Sequence, residues 1–182
     1  MIWHADCGTF PKSMTMKATS STTAGSSVQF VIKELEDLLN KGNAHAPFER
    51  AIKSVDPKLL GVVPTGSAYS IWQLVEHLRI TQWDILEFSK GPNHQSPHWP
   101  DGYWPKEPAP PNAHSWKETL DQIAKDKKEF IQLLHKAGEK IYAPFPYGDG
   151  QSLFREVLVL ADHNSYHTAE IILTRRVLGD WD

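Results

Sequence analysis

The sequence predicts an all-α protein, an up-down-down-up four-helix bundle with one long crossover. Four stretches of roughly 15 to 25 residues repeat apolar positions every three or four residues, and none alternates as a half-buried strand would. The connection from Gly91 to His114 holds seven of the thirteen prolines together with Trp99, Tyr103 and Trp104. Such a loop can return along a second helix that is about 30 Å long at 1.5 Å per residue, which would set the third helix parallel to the second.

Each helix carries its own start and stop signals. The first opens at Ser26-Ser27-Val28-Gln29, a pattern in which a hydroxyl and a glutamine cross-satisfy the free amides of the first turn. Its apolar face is Val28, Val31, Ile32, Leu35, Leu38 and Leu39. Lys41-Gly42 stops it, and Pro47 suits the first turn of a short continuation carrying Phe48, Ala51 and Ile52. The second begins with the same signature, Ser70-Ile71-Trp72-Gln73, buries Leu74, Leu78, Ile85 and Phe88, and ends at Gly91-Pro92. For the third, the start is Ser115-Trp116-Lys117-Glu118, the core-facing stripe is Trp116, Leu120, Ile123, Phe130 and Leu134, and Gly138 is the stop. The fourth is capped by Ser152 and closed by Gly179. Residues 1–25 are expected to be a disordered leader, small and polar without apolar period, and residues 26–182 one domain. Met14 and Met16 leave open a start further in.

The composition narrows the partners. A net charge of -3 with 23% charged residues gives no basic footprint for nucleic acid, and no apolar run reaches membrane-spanning length. A small-molecule or protein partner and a cytoplasmic location are expected. Cys7 is the only cysteine and lies in the leader, which excludes a disulfide framework and a thiolate zinc site in the body. His4, Asp6 and Cys7 form a weak metal-binding group on that leader.

The chemistry concentrates on the last helix. His163 and His167 stand four residues apart, so both rings share one face with Cβ atoms about 5–6 Å from each other. The stripe Glu156, His163, His167, Glu170, Thr174 is flanked by Val159, Leu160, Ile171, Val177 and Leu178, which turns it inward. An unpaired polar group in a core costs about 1–3 kcal/mol, so something must meet those rings. His77, on the buried side of the second helix between Leu74 and Ile80, is the natural third member. Three neutral imidazoles leave coordination positions open, the mark of a catalytic rather than a structural metal site, and suit Zn(II), Ni(II), Fe(II) or Mn(II) without choosing among them. Glu170 is either an acceptor behind a ligand N–H, a general base, or a partner of Arg175 or Arg176. Asp84 and Gln73 either orient His77 or pair with the first helix, Tyr166 flanks the stripe, His45 stands at a helix junction, and His135 fits a C-terminal dipole partner.

The stretches YSIWQLVEHLRITQWDILEFSKG and ADHNSYHTAEIILTRRVLG resemble the DinB-like superfamily, and the resemblance runs from about Val28 to Gly179. It implies the same bundle, often as a homodimer, and a divalent metal bound at His77, His163 and His167. Relatives include thiol S-transferases that use bacillithiol or mycothiol and a mycothiol-dependent isomerase. The resemblance therefore implies a metal-dependent hydrolase or thiol transferase acting on a small molecule, with a low-molecular-weight thiol as one candidate and the loop Pro92 to Trp104 walling the site. Two alternatives stand beside it. One is a non-catalytic metal or small-ligand binding protein with a closed shell, its fourth ligand His45 or Glu170; the other is a bundle with no metal.

Overall fold

A computed structural model describes residues 22–181. The described residues are 65% helix and contain no strand, only one isolated bridge between Pro144 and Ser152. Four long helices, α1 (Thr22–Lys41), α3 (Ile71–Lys90), α4 (Ala113–Ala137) and α5 (Leu153–Val177), are joined by the five-residue α2 (Phe48–Ile52) and single turns of 3-10 helix at Pro57–Leu59, Asp101–Tyr103 and Gly138–Tyr142.

The caps explain most boundaries. Ser70 accepts from the Gln73 amide at 3.1 Å while the Gln73 side chain accepts from the Ser70 amide at 3.1 Å, the reciprocal box expected for α3. Ser152 likewise accepts from the Arg155 amide at the start of α5. Two other helices start ahead of their expected boxes. α4 starts at Ala113 because Asn112, directly after two prolines, offers its side-chain oxygen to the His114 and Ser115 amides at 2.9 and 3.0 Å. α1 begins at Thr22, four residues inside the expected leader, and runs straight through the Ser26 pattern. Extending a formed helix adds one hydrogen bond per residue fixed, so the amphipathic segment downstream can carry helix into small polar residues that would not nucleate it. The rest of the expected leader, including His4, Asp6, Cys7, Met14 and Met16, lies outside the described residues. Pro47 sits one position before α2 as its cap residue, with φ -68°.

Contacts advance in order along the long helices. Glu76, Gln82 and Lys90 of α3 meet Thr119, the Ile123 carbonyl and Glu129 of α4. Between α3 and α5 the order reverses: His77 meets His163, and Asp84 lies near Glu156. Glu36 of α1 meets His135 near the end of α4, so His135 pairs across helices as well as lying at a C-terminus.

Two apolar clusters form the core. One joins Val28, Ile32 and Leu35 of α1 to Leu86, Phe130, Leu134, Val157 and Leu160. The other joins Ala51 of α2 and Leu60 to Ile71, Leu74, Val75, Leu78, Ile123 and Ile171. Each fully buried Leu, Ile or Phe contributes about 1.5–3 kcal/mol by leaving water. On α5 the first cluster ends at Leu160 and the second resumes at Ile171, and the two buried residues between, His167 and Thr168, are polar. Buried Arg175 ties the end of α5 to α2: its guanidinium donates to the carbonyls of Ala51 and Lys53 and to Asp180, and it lies under Trp181.

Candidate metal centre

The three histidines converge in the seam between α3 and α5, where the apolar packing is interrupted. His77 Nε2 lies 3.0 Å from His163 Nε2, and the ring centroids of His77, His163 and His167 are 4.5 to 4.9 Å apart. One ligand atom from each ring falls within 4.8 Å of the others. His77 and His167 are buried and His163 is half-buried.

The outer nitrogens decide which face of each ring is offered. His77 Nδ1 is 2.9 Å from the Tyr103 carbonyl, which only accepts, so that nitrogen carries the proton and Nε2 keeps its lone pair. His167 Nδ1 is held by Glu170 at 2.6 Å, leaving its Nε2 free in the same way. Burial lowers the pKa of all three rings. His163 is brought down to about 4 by burial, then by His167 and His77. His167 reaches about 4 through burial and then His77, and His77 is lowered by burial against the pull of the Tyr103 carbonyl and Glu170. At neutral pH the rings are therefore neutral, the form that binds metals.

A divalent ion fits this donor set. Nitrogens bound at about 2.0–2.1 Å on neighbouring positions of one ion stand roughly 3 Å apart, the spacing of the His77 and His163 Nε2 atoms. His163 Nδ1 is buried without a partner, the kind of unspent polar atom that a site built for something else leaves behind.

The crossover supplies the wall, through residues that sequence reasoning grouped as a loop without assigning contacts. Trp104 lies flat on His77 at 3.8 Å and Tyr69 lies flat on Trp104 at 3.8 Å, so an aromatic stack shuts one side of the centre. The loop is pinned to α3 by Ser70 to the Pro108 carbonyl, Gln73 to the Pro105 carbonyl, and Asp84 to both Tyr103 Oη and His94. Burial and then Asp84 push the Tyr103 phenol up to about 12, so it stays a donor. Gln73 and Asp84 thus do not touch His77. They reach it through the loop whose carbonyl does. The only hint in the sequence was the density of aromatics in a proline-rich connection.

Other expectations resolve residue by residue. Glu170 binds His167 rather than Arg175 or Arg176, and burial raises its pKa. His45 is exposed and bonds Ser165 and the Ala46 carbonyl, away from the histidine group. Among the described residues no fourth histidine or carboxylate joins the three. Tyr166 is 63% exposed and touches the His167 ring edge-on. Val159 and Val177, expected to flank a buried stripe, are 44% and 62% exposed because they lie outside the faces that α5 turns to the two apolar clusters.

On the other side of α5 lies a cavity of about 310 Å³ lined by Leu38 and Leu39 of α1, Phe48, Leu78, Leu158 and Ala161. It faces away from the histidines. No described helix is long and apolar enough to cross a membrane.

Fold and site together define an all-helical protein with a three-histidine group that could hold a metal ion. The chain belongs to the DinB superfamily, whose family model matches residues 43–171, a span containing all three histidines but not α1. No curated protein and no solved structure matches it.

Proposed function

We propose that this chain is a divalent-metal-dependent enzyme of hydrolase or thiol S-transferase type, with the metal held by His77, His163 and His167. The observation that carries the proposal is the meeting of three neutral rings whose ordered outer nitrogens, on His77 and His167, turn bare Nε2 atoms toward one point. The ion, Zn, Ni, Fe or Mn, would act as a Lewis acid that lowers the pKa of a water or thiol reaching it.

The chain's own residues have narrower tasks. Tyr103 and Glu170 fix the His77 and His167 rings, Trp104 keeps water off His77, and Glu170 holds the His167 Nδ1 proton. The substrate is a small molecule, and a low-molecular-weight thiol fits the nucleophile role. The order of contacts along α3, α4 and α5 supports the up-down-down-up bundle. A homodimer and a cytoplasmic location complete the reading.

Metal analysis of the purified protein and of His167→Ala tests the foundation: stoichiometric metal in the parent and its loss in the variant are expected, and unchanged content refutes it. Thiols offered with electrophiles, against a metal-stripped control, then test the transferase version. A binding protein without catalysis is the alternative, favoured by Trp104 lying flat over His77. It needs a fourth protein ligand, and His45 and Glu170, the two candidates, are committed elsewhere.

A further inference from the structure

The outward face of α5, turned away from both apolar clusters, is as regular as the inward one. Half of the large apolar side chains exposed among the described residues stand on this one helix: Leu158, Val159, Tyr166, Leu173 and Val177, the last three at 63%, 60% and 62%. Val159, Tyr166 and Leu173 recur at steps of seven and so run along one side. Beside them Asp162, Ala169 and Arg176, all exposed, recur at the same step. An apolar line of this length along a helix marks a surface that meets another.

The charges identify the occupant. Within α5 the ion pairs among the described residues join His167 to Glu170 and Arg175 to Asp180, and leave Asp162 and Arg176 out. Those two stand about 10 Å to either side of Ala169, at 1.5 Å per residue. In a two-fold pairing of identical surfaces, residue i meets residue j and j meets i. Parallel copies of α5 would set Asp162 on Asp162 and Arg176 on Arg176, like charge on like. Antiparallel copies with the axis at Ala169 set each Asp162 on the partner's Arg176 and each Tyr166 beside the partner's Leu173. Alanine at the crossing has no bulk to hold the helices apart. We propose that two copies of this chain pair through α5, antiparallel, about a two-fold axis at Ala169. This gives the homodimer of the reading above its surface and rests on that part of the reading alone, not on the metal. Since Tyr166 touches the His167 ring edge-on, the pairing also covers one flank of the histidine group.

Sedimentation of the purified full chain, with circular dichroism to follow its helix content, tests the pairing. The parent is expected to be a dimer. Leu173→Lys should weaken association about 100-fold, and Asp162→Arg or Arg176→Asp about 10-fold each, because either change sets like charges against each other at both ends of the contact. Asp162→Arg combined with Arg176→Asp restores opposed pairs and is expected to return association to near the parent's. A monomeric parent overturns the homodimer reading and this inference together. A dimeric parent whose association is unchanged by Leu173→Lys overturns the surface and leaves the homodimer standing. A double variant no tighter than its two single variants overturns the antiparallel register and the proposal with it. Should Leu173→Lys fail to fold, the charge exchange decides.

Discussion

The two sides of α5 are built on opposite plans. Toward the crossover, His163 and His167 meet His77, the outer nitrogens of two rings are tied down, and an aromatic stack closes over the third side. Toward α1, Leu158, Ala161 and Ser165 border a cavity at which His45 pairs with Ser165 and Lys127 with Glu49. Both sides lie at the level where the two apolar clusters separate. A gap in packing is thus not a site in itself. What distinguishes the crossover side is that ring nitrogens from two helices converge on one point, with the Nε2 atoms of His77 and His167 left without a proton.

The comparison can be broken most sharply with one histidine from each side. His77→Ala is expected to abolish stoichiometric metal binding, whereas His45→Ala leaves it unchanged; metal content after dialysis against a weak chelator measures both. A comparable contrast in stability is expected within α5. Leu160, fully buried, should lose about 2–5 kcal/mol on truncation to alanine. Leu158, 42% exposed beside the cavity, should lose under about 1 kcal/mol in the same urea titration.

A pH series sharpens the picture further. His163 and His167 titrate near 6.5 when unfolded and are lowered to about 4 in the fold, so within that window the unfolded chain binds protons that the native state refuses. Stability of the metal-free protein from these groups is complete above 6.5, falls as pH drops through the window, and is constant below about 4. Urea melts of chelator-treated protein at stepped pH should show that slope, and His163→Gln should reduce it. The smallest effect tests the anchor of the wall. Ser70→Ala removes a cap and the bond to the Pro108 carbonyl, and is expected to cost about 1 kcal/mol with metal affinity nearly unchanged. A large fall in affinity would mean that the crossover is held mainly at this point.

Much of the centre was legible because helical spacing is a local property. The four-residue step from His163 to His167 fixes a shared face wherever α5 lies, and the Ser70 box fixes the register that brings His77 to the buried side of α3. Helix starts were less legible. Ser115 and Asn112 are both good caps, and the choice fell to Asn112, whose oxygen takes two amides. Val159 and Val177 misled because an apolar residue beside a polar stripe is buried only if a neighbour covers it, and coverage is not written in spacing.

By itself the sequence determined the helical class, the pairing of two histidines on one turn and the candidacy of a third, since these follow from periodicity and capping along a continuous chain. Only the tertiary structure decided that His77 stands 3.0 Å from His163, that Tyr103 and Trp104 rather than Gln73 and Asp84 meet His77, and that Glu170 turns to His167. Those contacts join residues as far as 86 positions apart, and their geometry is set by how helices and crossover pack together, a balance of burial and hydrogen bonding that no local pattern encodes.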